Sequence, residues 1–248
     1  MIPHIPWYIA LIVLVTQPLI GFTVWRIVAG AAPRSVRLGL GVVMAAWLGL
    51  ALVLAPAPAT LAGRGAFYVN PLIPSFALAS FVAGLAGIAL FPALRQAVAA
   101  ASVPALIGVQ VYRVVGVLFI ILLAQGQLPA HFAQPAGWGD IFVGLTAVPV
   151  AIALARRLAG ARVLAIAWNV FGLLDLMVAV GMGTGVLAPY LLPGVDARVP
   201  AAAAMGVFPL ILIPTFVVPL SVILHVTALA RLARGAPAGA TLVARPAA

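Results

Sequence analysis

The stretch Val103–Gln125, VPALIGVQVYRVVGVLFIILLAQ, decides how this chain folds. Wound as an α-helix at about 1.5 Å per residue, it is long enough to cross the roughly 30 Å of hydrocarbon in a bilayer. Only Gln110 and Arg113 are strongly polar in its interior. Working outward, the same apolar length recurs at about 7–29, 38–56, 74–92, 136–155, 163–183 and 207–230. The breaks are Ala32-Pro33-Arg34, Ala55 to Pro74, Leu94 to Pro104, Gly126 to Pro135, Arg156 to Arg162 and Leu187 to Met205. Each contains Pro, Gly or Arg, as interhelical loops do.

Composition points the same way. Charged residues make up 6% of the chain and mean hydropathy is +1.29, whereas a soluble domain carries about a quarter charged residues to keep its surface wet. The expectation is an all-α integral membrane bundle of seven transmembrane helices over residues 1–234. The Gly/Ala/Pro/Arg-rich segment 235–248 reads as a disordered cytoplasmic tail. No basic residue precedes the first span and no small-residue cleavage site follows it, so it reads as a retained helix.

Missing residue types exclude whole chemistries. All 13 basic residues are arginine, the three acids are Asp140, Asp175 and Asp196, and Cys is absent. Without lysine there is no retinal Schiff base. Without cysteine there is no disulfide, thiolate nucleophile, iron–sulfur cluster or covalently attached c-type haem. The high isoelectric point, about 11.8, would suggest nucleic acid in a soluble protein. Here the arginines lie in loops, so no nucleic-acid partner is expected.

Their distribution sets an orientation instead. Arg26, Arg34, Arg37, Arg95, Arg156, Arg157, Arg162, Arg231, Arg234 and Arg245 fall on one side, Arg64 and Arg198 on the other. Under the positive-inside rule the ten-arginine side is cytoplasmic. The N-terminus is then outside and the C-terminus inside, in the inner membrane of a bacterium.

Polar residues inside the spans carry the functional reading. A central Arg or Asp costs about 2.5–3.5 kcal/mol on insertion scales, so it faces protein or water and takes a partner. Gln110, Arg113 and Gly116 recur at i, i+3, i+6 on span four, and Asn169, Gly172 and Asp175 do the same on span six. Asp140 is expected about one turn below the outer interface of span five, with Gly137, Gly139 and Gly144 permitting close helix approach. Span seven carries Pro209, Pro214 and Pro219, then Ser221 and His225; its prolines free backbone carbonyls for a ligand, an ion or a neighbouring helix. Arg113 is expected to pair with Asp140 or Asp175. If the two polar stripes meet, an outward-opening cavity lined by at least three of Gln110, Arg113, Asp140, Asn169 and Asp175 is expected.

Other clusters read as structure. His4, His131 and Asp140 match no metal-ligand spacing, and His225 lies too deep to join the other two histidines around a haem. No metal and no cofactor is expected. Gly181-Met182-Gly183-Thr184-Gly185 follows no strand and reads as a helix end. Trp7, Tyr8, Trp138 and Tyr190 fit an aromatic belt.

Tyr112 to Gly144 reads Y-R-x2-G, then G-Q-L-P-x2-F-A-x2-A-G-x-G-D-x2-V-G. This resembles a group of uncharacterised polytopic membrane proteins of high-GC bacteria sharing an Arg–Gly–Leu-Pro–Gly-Asp arrangement. The resemblance supplies no activity; it implies that Arg113, Pro129, Phe132, Gly139 and Asp140 belong to one constellation.

Three functions are compatible with these residues. The first is binding or transport of a small anionic or amphipathic molecule at Gln110, Arg113, Asp140, Asn169, Asp175 and His225, with Arg113 favouring an anionic or carbonyl-bearing group. The second is a membrane-embedded enzyme acting on a lipid or isoprenoid through Asp general acid catalysis. The third is a structural accessory subunit of a homo-oligomer or larger membrane complex.

Overall fold

In hydrocarbon the backbone finds hydrogen-bond partners only within itself, so long apolar runs become helices. The computed structural model describes residues 5–30, 32–54, 70–191 and 202–234. Seven of its helices are long and apolar enough to cross a membrane: α1 (Trp7–Ala29), α2 (Arg34–Val53), α3 (Leu72–Leu90), α4 (Val103–Ala124), α5 (Ala130–Ala155), α6 (Ala161–Gly183) and α7 (Ile213–Ala233). The described residues contain no strand, and the architecture is an all-α bundle. His4, Arg64, Asp196, Arg198 and the segment 235–248 lie outside the described residues.

α5 packs along the whole of α4 and against α6, while α7 lies against α6, α3 and the start of α4. α3 buries no residue and α2 buries only Ala51, so both are peripheral. Apolar side chains fill the bundle in layers. One is built on Leu118, Leu122, Phe132, Ala136 and Met182, another on Ile107, Ala147, Leu154, Ala165 and Leu232. The polar residues of α4, α5, α6 and α7 fall between these two layers in sequence, which puts a polar band across the middle of the bundle.

Three elements depart from the expected pattern. α5 begins at Ala130, because Pro129 adopts an extended conformation (ψ 142°) that turns the chain directly into the helix. Pro135 lies in the second turn, where it removes one amide donor, and transmembrane helices accommodate such prolines. Asp140 is therefore about 15 Å along the axis from the start of α5, where a helix starting at 136 would put it at about 6 Å.

α7 begins at Ile213 and not at 207, and its first turn, Ile213–Val217, is a wide π-turn. Pro219 has no N–H for the Thr215 carbonyl four residues back. That carbonyl instead accepts a hydrogen bond from Trp47 Nε1 of α2 at 3.0 Å. A neighbouring helix thus satisfies this carbonyl that proline frees.

The third departure is in α4. It is α-helical over Val103–Gly108 and Val117–Ala124 but tightens to a 3₁₀ helix over Val109–Gly116.

Candidate functional site

The 3₁₀ turn of α4 sets the site. At 3.0 residues per turn, positions i, i+3 and i+6 stack in register, whereas in an α-helix they drift by about 60° per step. Gln110, Arg113 and Gly116 are the buried residues of this segment, and all point inward.

Arg113 is 3% exposed and is the hub of four helices. Its Nε donates to Asp140 Oδ1 of α5 at 2.6 Å, and its Nη2 donates to Asp175 Oδ2 of α6. Nη1 donates to the Gly172 carbonyl at 3.3 Å and lies 3.2 Å from His225 Nε2 of α7. The guanidinium fork presents donors in several fixed directions in one plane and so serves two carboxylates, a carbonyl and an imidazole at once.

The ring nitrogens of His225 are fixed by what surrounds them. Asn169 Nδ2 donates to the Ala165 carbonyl at 2.7 Å, so Asn169 turns its Oδ1 to His225 Nδ1 at 2.9 Å. Nδ1 therefore carries the proton, and Nε2 presents its lone pair to Arg113. His225 is held as a neutral imidazole, and Trp168 covers it with ring centroids 5.3 Å apart.

Two glycines make room for this packing. A Cβ on Gly139 would run into the Asp175 carboxylate, and one on Gly172 would strike the His225 imidazole.

A second polar set adjoins the first. Tyr112 Oη lies 2.9 Å from Gln110 Oε1 and 2.6 Å from Ser221 Oγ, which is 2.8 Å from the Val217 carbonyl, so two hydroxyl protons are shared among three contacts. Gln110 Nε2 reaches the Ser221 carbonyl at 3.4 Å. Between α1, α4, α5 and α7 lies a cavity of about 40 Å³, bordered by Gln17, Tyr112, Arg113, Phe119, Asp140 and Ser221 among others. It has room for two or three waters.

The geometry joins Arg113 to both candidate aspartates and adds His225 and Asn169 to the same network. Gln110 belongs to the neighbouring Tyr112–Ser221 set. The cavity is bordered by Arg113 and Asp140 but not by Gln110, Asn169 or Asp175, so it falls short of the three-of-five lining expected from the two stripes. The physical reason is that Asn169 and Asp175 pack directly onto His225 and Arg113 and leave no space between the stripes.

Gln17 was not legible as a site residue. It is 2% exposed, and its Oε1 has no hydrogen-bond partner among the described residues. A lone amide in the middle of an apolar first span was the available signal. Among the described residues, no three His, Cys, Asp or Glu side chains are grouped to hold a metal ion.

No curated protein and no solved structure matches this chain. A family model, described as a domain of unknown function (DUF8737), matches residues 70–233. That range runs from α3 to the end of α7 and includes Arg113, Asp140, Asn169, Asp175 and His225, while Gln17 lies before it. With most of its length matched, the chain belongs to the DUF8737 family.

Proposed function

We propose that this chain is a multi-pass protein of the bacterial cytoplasmic membrane that binds and moves a small solute at the Arg113–Asp140–Asp175 cluster. The observation that carries this reading is a charge count beside a cavity. Two carboxylates face one guanidinium while His225 is neutral, so the cluster is formally one positive charge short, and Asp140 borders open space. Uncompensated charge in a low-dielectric interior is costly. A proton or a cationic, hydrogen-bond-donating group supplies what is missing.

This changes the charge expected of the ligand from anionic to cationic. An anion would need free donors on Arg113, and four of its five N–H groups already face two carboxylates, a carbonyl and an imidazole. A cavity of about 40 Å³ also favours a small solute over a lipid or isoprenoid substrate. The 3₁₀ segment of α4 and the π-turn of α7 border the same cavity. Irregular turns of this kind recur at hinges and functional sites, and they would supply the mobile elements.

Dense pairing around Arg113 is also what a structural lock would show. Native mass spectrometry of gently extracted protein separates the two readings. Wild type is expected to retain a small-molecule mass that Asp140→Asn loses while remaining folded. Identical bare masses for both proteins would support the structural role instead. The arginine asymmetry supports the orientation: a reporter fused after Arg234 is expected to behave as cytoplasmic, and an external signal would overturn it.

A further inference from the structure

Resting on the reading above, we infer that the cavity between α1, α4, α5 and α7 is a binding site for a small monocation that carries hydrogen-bond donors, of the size of ammonium or methylammonium. Apart from Arg113, whose N–H groups turn to Asp140, Asp175, Gly172 and His225, the polar wall of the cavity is mostly acceptors. Gln17 borders it with a buried Oε1 that accepts nothing from the described residues. Asp140 borders it too; its Oδ1 is engaged by Arg113, and 17% of its side chain remains accessible.

With Arg113, Tyr112 and Ser221 complete the polar wall, and their two hydroxyl protons are already spent. The available acceptors are the Val217 carbonyl, Gln110 Oε1 and one hydroxyl oxygen of the pair. Whichever hydroxyl donates to the other, both protons stay within the protein, so what remains for an occupant is lone pairs. Such a wall suits an occupant that brings N–H donors, and the missing positive charge of the cluster makes that occupant a cation. Phe119 and the other apolar residues of the wall leave too few oxygens to replace the full hydration shell of a hard metal cation, which takes six or more oxygen ligands. Size excludes bulky quaternary ammonium ions.

The test is thermal unfolding of the full-length protein in detergent at fixed pH and ionic strength, titrated with chlorides of ammonium, methylammonium, sodium, potassium and tetramethylammonium. Ammonium and methylammonium are expected to raise the melting temperature saturably, and sodium, potassium and tetramethylammonium to do no more than ionic strength alone. Gln17→Leu fills the same space without the acceptor and leaves the Arg113 cluster untouched. It is expected to fold and to raise the half-saturating ammonium concentration by about tenfold or more, the loss of one charge-assisted hydrogen bond.

A saturable ammonium response that is unchanged in Gln17→Leu would overturn the site, and an equal response to all five cations would overturn the ligand class. Failure of every cation, with another small molecule retained in native mass spectrometry, overturns this inference and leaves the broader solute-binding reading standing.

Discussion

Replacing Arg113 by leucine is expected to be the most damaging single substitution in the chain. Its side chain holds Asp140 at 2.6 Å, Asp175, the Gly172 carbonyl and His225 together. Removing it leaves two carboxylates facing each other inside an apolar bundle with no cation between them. Breaking a buried ion pair by deleting one partner costs about 3–5 kcal/mol, and here a single deletion strands two partners. The expected result is a large drop in melting temperature of the detergent-solubilised protein and loss of much of the membrane-inserted yield.

Arg113→Lys is expected to recover only part of the loss, because an ammonium lacks the planar fork that reaches two carboxylates and an imidazole at once. The triple variant Arg113→Leu, Asp140→Asn, Asp175→Asn removes the stranded charges and is expected to fold better than Arg113→Leu alone. A single variant that melts like wild type would show that the network does not hold the four helices together.

Much of this fold was legible in the sequence because bilayer thickness is a strict ruler. All seven spans follow from apolar run length, and the pairing of Arg113 with the aspartates follows from the cost of leaving it alone. What was hidden depended on backbone detail. Pro135 reads locally as a helix breaker, yet Pro129 starts the helix and carries Asp140 deep into it. The spacing of Gln110, Arg113 and Gly116 was visible, but the 3₁₀ turn that stacks them in register was not, because nothing in the side-chain pattern distinguishes it from an α-helix. The role of Gln17 appears only when α1 is set beside α4, α5 and α7. Hydropathy finds helices but does not say which of them are neighbours.

Helix separation in the polar band is set by glycine, and the second large effect is expected there. Gly144 of α5 faces the backbone of α4: a Cβ at this position would overlap the Val114 amide nitrogen and come within 3.0 Å of the Arg113 carbonyl carbon. Backbone cannot rotate aside as a flexible side-chain end does. Gly144→Ala therefore has to push α5 away from the 3₁₀ turn that aims Arg113. Overpacking of this kind costs about 1–3 kcal/mol, and the displacement also loosens the bond from Arg113 to Asp140 four residues earlier on the same helix. Gly39 and Gly49 of α2 are the controls, since a Cβ there meets nothing within 4 Å. Alanine at either is expected to be neutral or slightly stabilising, because glycine is the poorer helix former by about 1 kcal/mol. Melting temperatures of the three alanine variants check the contrast directly. If Gly144→Ala unfolds with the same midpoint as Gly39→Ala, then α4 and α5 are not in backbone contact, and the close approach that delivers Asp140 to Arg113 is lost with it.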